Sequence, residues 1–161
     1  MDEAERLHGL FIELVLTSGL LQADQVMLGH PISVSQAFAL HELDTDTPLS
    51  QRDLAERLRL EKSSVSRMAA EMERKGLLVR ERDPANRRLY RLRLTDRGRA
   101  LHAGMRGAFH DQYVRWVAGM TREEREALVV GLGAFVRVMR GGPVPWRPVG
   151  THEHGHDSER A

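Results

Sequence analysis

The chain has 161 residues, 24 Lys or Arg against 23 Asp or Glu, 41% hydrophobic and only 5% aromatic residues, which is one globular domain's worth of sequence with an aliphatic core. The absence of cysteine excludes disulfides, thiolate nucleophiles, cysteine-ligated zinc and any thiol redox switch. No stretch approaches the roughly 18 consecutive apolar residues of a membrane span, and the start Met1-Asp2-Glu3-Ala4-Glu5 has the wrong sign for a secretory signal, so the expectation is a cytoplasmic protein without a membrane partner.

Apolar residues at Leu7, Leu10, Phe11, Leu14, Val15 and Leu21 recur at three-and-four spacing and predict a long first helix with a broad apolar stripe, ended by Gly29-His30-Pro31. Ser33 or Ser35 can cap a second helix through Phe38, Leu40 and Leu43, which stops in the polar turn from Asp44 to Pro48. Ser50 and Asp53 form a capping-box-like pair flanked by Leu49 and Leu54, so a third helix is predicted over Gln51 to Leu58. Its small Ala55 sits where a following helix could cross closely.

A fourth helix is predicted from Glu61 to Lys75. At 100° per residue Val65, Met68, Ala69 and Met72 cluster on a core face, while Ser63, Arg67, Ala70 and Arg74 lie opposite, with Ser66 beside them. That outer face is short, polar and cationic. Small hydroxyls at a helix start let the backbone approach phosphates, the helix dipole favours them, and an arginine one turn later can fork onto guanine. Gly76 ends the helix. Leu77-Leu78-Val79 then begins a strand, Asp83-Pro84-Ala85-Asn86 is a turn, and Tyr90, Leu92 and Leu94 alternate with Arg91 and Arg93. The spacing predicts a hairpin with Tyr90, Leu92 and Leu94 packed on the helices and an arginine face outside. Arg80, Arg82, Arg87, Arg88, Arg91 and Arg93 share this ribbon, and the tip pair Arg87-Arg88 is suited to a narrow minor groove.

Charge follows the same division. Residues 50–99 hold fifteen Lys or Arg against eight Asp or Glu, and the remainder holds nine against fifteen. Positive charge is thus concentrated in one third of the chain, as a surface that meets phosphates requires.

From about Val34 to Thr95 these residues resemble the MarR (multiple antibiotic resistance regulator) family of transcription factors. The resemblance runs through Leu49-Ser50-Gln51-Arg52-Asp53-Leu54-Ala55, Ser63-Ser64-Val65-Ser66-Arg67, Glu73-Arg74-Lys75-Gly76-Leu77-Leu78, Asp83-Pro84-Ala85-Asn86-Arg87-Arg88 and Leu94-Thr95-Asp96-Arg97-Gly98. It implies an obligate homodimer, with the fourth helix in the major groove and a wing arginine in the minor groove of double-stranded DNA. On matching positions it makes Ser63, Ser64, Ser66 and Arg67 major-groove and phosphate contacts and Arg88 the minor-groove finger; Arg74 and Arg87 complete the expected set. The family often has Asp two residues before that arginine. Here the position is Asn86, a neutral amide expected to brace the wing tip more weakly.

Beyond the hairpin, Thr95 can cap a long fifth helix bearing Leu101, Met105, Phe109 and Trp116. Thr121 with Glu124 makes a capping box for a sixth helix with Leu128, Leu132, Phe135 and Met139. The expected fold is therefore mainly α with a small β-hairpin wing: a winged helix-turn-helix of six helices in a single domain over 1–140. Residues 34–95 form the DNA-binding lobe, and 1–30 and 96–140 pair two copies of the chain. A two-fold dimer sets recognition helices roughly 34 Å apart and so implies a pseudo-palindromic operator.

Regulators similar to this one bind a small aromatic or other organic effector near the junction of the dimer helices and the lobes. Phe11, Phe38 and His41 are the candidate lining residues, with His8 and His30 as further polar ones. No nucleophile, metal triad or phosphate loop stands at useful spacing, so neither an enzyme nor a cofactor is expected. From Gly141 the composition turns to Gly, Pro and polar residues, expected to be an unstructured tail. His152, His154 and His156 alternate there and could hold a transition metal, but His102 and His110 in the body are eight residues apart, not four, and no metal site is assigned. The reading is a homodimeric, sequence-specific DNA-binding repressor. Its alternatives are a metal-responsive regulator using histidines and a winged-helix protein-interaction module.

Overall fold

The computed structural model describes residues 2–19 and 31–142. The end of the predicted first helix around Leu21 and Gly29, together with His30, His152, His154 and His156, lies outside them. By its internal contacts the chain divides into two compact units, residues 1–108 and 109–161.

Helix α1 spans Glu3–Thr17, and Asp2 caps it by accepting the Glu5 amide at 2.8 Å while the Glu5 carboxylate accepts the Asp2 amide at 2.9 Å. It carries no buried residue. Helix α2 (Val34–Leu43) is capped by Ser33, not Ser35, in a box with Gln36. The first departure from the expected elements follows, for Leu49–Ser50 form a short strand β1. Helix α3 (Gln51–Leu58) starts from the predicted Ser50–Asp53 box. It closes on Arg59 in the left-handed conformation, with the Leu60 amide donating to the Ala55 carbonyl at 3.0 Å, the six-to-one bond of a Schellman ending. Helix α4 (Lys62–Arg74) follows at once, and Gly76, at φ +69°, turns the chain into β2 (Leu78–Arg82).

Strand β3 (Tyr90–Leu94) is central, in the order β1-β3-β2, all antiparallel. Leu49 lies opposite Leu92 on one side, and Arg80 opposite Leu92 and Leu78 opposite Leu94 on the other. A two-residue strand is too short to announce itself by alternation. It exists because Leu49, 7% exposed, needs the same core as Leu92.

That core is aliphatic, as the composition requires. Leu40, Leu54, Val65, Met72, Leu78 and Leu92 are fully buried, and Ala55 of α3 and Ala69 of α4 belong to the same cluster; each large side chain so buried contributes roughly 1.5 to 3 kcal/mol. The rear of α4 is also fastened by charge. The Lys75 ammonium donates to the Pro31 carbonyl and to Oε1 of buried Gln36, both at 2.9 Å, and pairs with Glu71 at 2.8 Å. These bonds, Lys75 first and Gln36 next, hold the Glu71 carboxyl below its usual range.

Helix α5 (Asp96–Ala118) leaves the sheet under tight constraint. The Thr95 hydroxyl accepts the Gly98 amide at 3.0 Å and donates to the Gly76 carbonyl at 2.7 Å, so it caps α5 and ties it to the end of α4. Further along, buried His102 bonds through Nδ1 to Asp44 at 2.8 Å, and its ring meets that of His41 at 5.5 Å.

The second unit contains the remainder of α5 and helix α6 (Arg122–Gly141), begun by the predicted Thr121–Glu124 box. Arg125 closes the turn between them by donating to the carbonyls of Val117 and Met120 at 3.0 and 2.7 Å. Tyr113 and Trp116 stack edge to face at 5.2 Å, yet no residue between 109 and 142 is buried.

Candidate nucleic-acid interface

The fourth helix divides by angle as its sequence requires. Val65, Met68, Ala69 and Met72 are buried, Ser63, Arg67 and Arg74 are exposed, and Ser64 and Ser66 lie at the boundary. The guanidinium of Arg67 makes no hydrogen bond or ion pair with any described residue, so its donors are open to an outside acceptor. At the other end of the helix Glu61 makes no side-chain cap. The first-turn amides of α4 are therefore not consumed by a side chain, which is the condition for a helix start to receive a phosphate. Arg59 and Lys62 line a shallow groove beside them with Arg52, Glu56 and Glu61. The first two were not among the residues expected from sequence. Arg59 has a signal only in hindsight, as the residue just past a helix that ends without glycine.

The hairpin corrects two expectations. Leu92 and Leu94 are buried, but Tyr90 is 36% exposed, because it sits at the far end of β3 and is covered by charge. The Arg82 guanidinium lies 4.3 Å from its ring centre and that of Arg80 at 5.9 Å, a cation–π arrangement. Nor do six arginines form one free cationic face. Arg80 pairs with Glu73 at 2.6 Å, Arg91 with Asp83 at 2.6 Å, and Arg93 with Glu81. Arg82 donates to the Arg87 carbonyl at 2.6 Å. Residues Arg87 and Arg88 alone on the ribbon keep guanidiniums with no partner among the described residues.

What presents them is Asp83, a residue read from sequence only as part of a turn. One of its oxygens accepts the amides of Ala85 and Asn86 at 2.7 and 3.2 Å, and the other accepts Nε of Arg91. The Arg91 bond first, and the Ala85 amide next, keep its carboxyl below the ordinary carboxylate range. Asn86 Oδ1 accepts the Arg88 amide at 3.1 Å. The neutral amide thus braces the backbone of Arg88, and Asp83 supplies the ionic brace from three residues earlier.

Residues 30–89, which contain α2 to α4, β2 and the wing loop but not β3, match a family model described as the MarR family. This segment is a MarR-family winged helix. The curated relative YdgJ of Bacillus subtilis, an uncharacterized HTH-type transcriptional regulator, is 30% identical over 81 residues, which is 50% of this chain and 49% of the relative. The match thus spans about half the length of each. Among solved structures, RV1404 of Mycobacterium tuberculosis superposes with a TM-score of 0.70 at 24% identity, covering 91% of this chain and 99% of that one. FabT of Streptococcus pneumoniae, solved in complex with DNA, gives 0.68 at 22% identity over 86% and 95%. At such identities the two establish the fold: six helices and a small antiparallel sheet.

Around the MarR-family segment the other candidates scatter. Phe38, 56% exposed, lines a shallow groove with Val34, Ser35, Glu42, Arg57, Leu58 and Leu60. His41, one turn on, meets His102 and is not in that groove. Phe11 is exposed on α1. Among the described residues no three His, Asp or Glu side chains are grouped to hold a metal ion. Among those residues no helix is long and apolar enough to cross a membrane.

Proposed function

We propose that this protein is a homodimeric, sequence-specific DNA-binding transcription regulator that represses by occupying a pseudo-palindromic site. The observation that carries the reading is the presence of two open cationic elements on one lobe. Arg67 stands beyond the serines of α4, and Arg87 and Arg88 stand at a wing whose Arg80, Arg91 and Arg93 are paired with carboxylates and whose Arg82 is held by the Arg87 carbonyl and the Tyr90 ring. On this reading Ser63, Ser64, Ser66, Arg67 and Arg74 engage the major groove and its phosphates, and Arg88, beside Arg87, enters the minor groove. The DNA complex of FabT supports it by fold. Occlusion of a promoter requires no additional contact surface, which favours repression over activation.

Dimerisation is supported by apolar surface that one copy leaves uncovered. Helix α1 exposes Leu7, Leu10, Phe11, Ile12, Leu14 and Leu16, and α6 exposes Leu128, Val129, Val130, Leu132, Val136 and Val138. On α6 they follow the charged start Arg122–Glu126 and surround Arg137, and an exposed apolar surface of that extent is one that pairing of two copies would cover. Release by a small aromatic effector would place Phe38, and with it Phe11 and His41, against the ligand.

Selection from a pool of randomised duplexes tests the reading. A pseudo-palindromic consensus whose affinity falls steeply with salt is the expected outcome. Weak binding without a consensus would leave the interaction-module alternative in its place.

A further inference from the structure

The base of the wing loop holds an apolar side chain that the fold does not use. Leu89, 48% exposed, stands directly after Arg87 and Arg88. The apolar needs of the hairpin are already met by Leu92 and Leu94 at 0% and 2% exposure, and the face of its neighbour Tyr90 is occupied by the Arg82 guanidinium.

The backbone of Leu89 is held on both sides. Its amide donates to the Asn86 carbonyl at 2.9 Å and its carbonyl accepts the Asp83 amide at 3.0 Å. Asp83 is in turn locked to Arg91, Ala85 and Asn86. A leucine on an ordinary surface loop needs no explanation. This one is held by its own backbone where the wing loop rejoins the ribbon, next in sequence to two guanidiniums that have no partner among the described residues.

The minor groove offers matching chemistry, since its walls are the hydrocarbon edges of deoxyribose and its base steps accept apolar wedges. We propose that Leu89 is a minor-groove contact of the wing, packing its methyl groups on the sugar walls of the groove that the Arg88 guanidinium enters. This rests on the DNA-binding reading above. Arg88 supplies charge, which is sensitive to salt, and Leu89 supplies apolar burial, which is not. The two residues contribute through separable physics.

The test uses the duplex selected by the wild-type protein from a randomised pool. The variant L89A should bind that duplex about tenfold more weakly, as expected for losing most of one buried leucine contact, with an unchanged slope of log affinity against log salt. L89M, which keeps the apolar contact, should retain most of the affinity and guards against a folding defect in the alanine variant. Unaltered affinity in L89A, a reduced salt slope, or a loss in L89M equal to that in L89A would overturn the assignment. If the wild-type protein selects no duplex, the regulator reading itself fails and this inference falls with it; if it selects one that L89A binds equally well, only the role of Leu89 fails.

Discussion

Asp83 and Arg91 are joined at 2.6 Å across the base of the wing loop, and the second oxygen of Asp83 gathers the amides of Ala85 and Asn86 on the other side. One carboxylate therefore fixes the start of the loop, its turn and the central strand together. Replacing Asp83 with Ala should leave the helical lobe folded while lowering DNA affinity about tenfold, the scale of losing one ordered groove contact. Circular dichroism and binding to the selected duplex would check the two halves. Unchanged affinity in a folded variant would show that the brace is dispensable.

The same carboxylate gives the wing a pH dependence of definite sign. Its folded-state acidity is increased by Arg91 and by the Ala85 amide, so its contribution is complete above the ordinary carboxylate pKa of about 4 and is lost as pH falls through the lower folded value. Backbone amide signals of Ala85 and Asn86, followed by NMR during acidification, should move together below about pH 4. In D83N that step should be missing.

Arg67 and Arg88 should fail in different ways. Arg67→Ala should cost on the order of 1 to 3 kcal/mol on the selected duplex and little on mismatched ones, as removal of a base-reading side chain does. Arg88→Ala should weaken binding across sequences and reduce the salt slope by about one. Competition binding at several salt concentrations distinguishes them, and two identical profiles would refute the division of labour.

Gly98 should tolerate no side chain. A Cβ there would stand 2.0 Å from the Leu77 carbonyl oxygen, which is backbone held by the Thr95 amide at 3.1 Å. Gly98→Ala should destabilise by about 3 kcal/mol or more, the upper range of overpacking, read from urea unfolding. Ala at Gly104 or Gly107, where a Cβ meets nothing within 4 Å, should be neutral or slightly stabilising.

Sedimentation should give a dimer for the wild-type chain. Leu132→Glu and Val138→Glu, both at exposed apolar positions of α6, should shift it toward monomer and weaken DNA binding by removing the second reading head. A wild-type monomer that binds a palindrome tightly would contradict the dimer.

Much of the interface was readable without coordinates because its signals are local. The Ser50–Asp53 and Thr121–Glu124 boxes act over three residues, and the division of α4 into Val65 and Met72 against Ser63 and Arg67 follows from helical angle alone. Those short-range patterns determined the helices, the hairpin and the face on which the cations stand. Which cations remain open was decided only by the tertiary structure. The sequence puts Arg80, Arg87, Arg88, Arg91 and Arg93 on one ribbon without distinguishing them, whereas the folded chain brings Glu73, Asp83 and Glu81 to Arg80, Arg91 and Arg93 and leaves Arg87 and Arg88 open. Strand β1 is of the same kind, since Leu49 becomes a strand residue only when Leu92, far along the sequence, arrives beside it. A helix cap is satisfied by neighbours that the chain must supply; an ion pair or a ladder bond depends on which distant segment returns, and that is set by how the common apolar core closes.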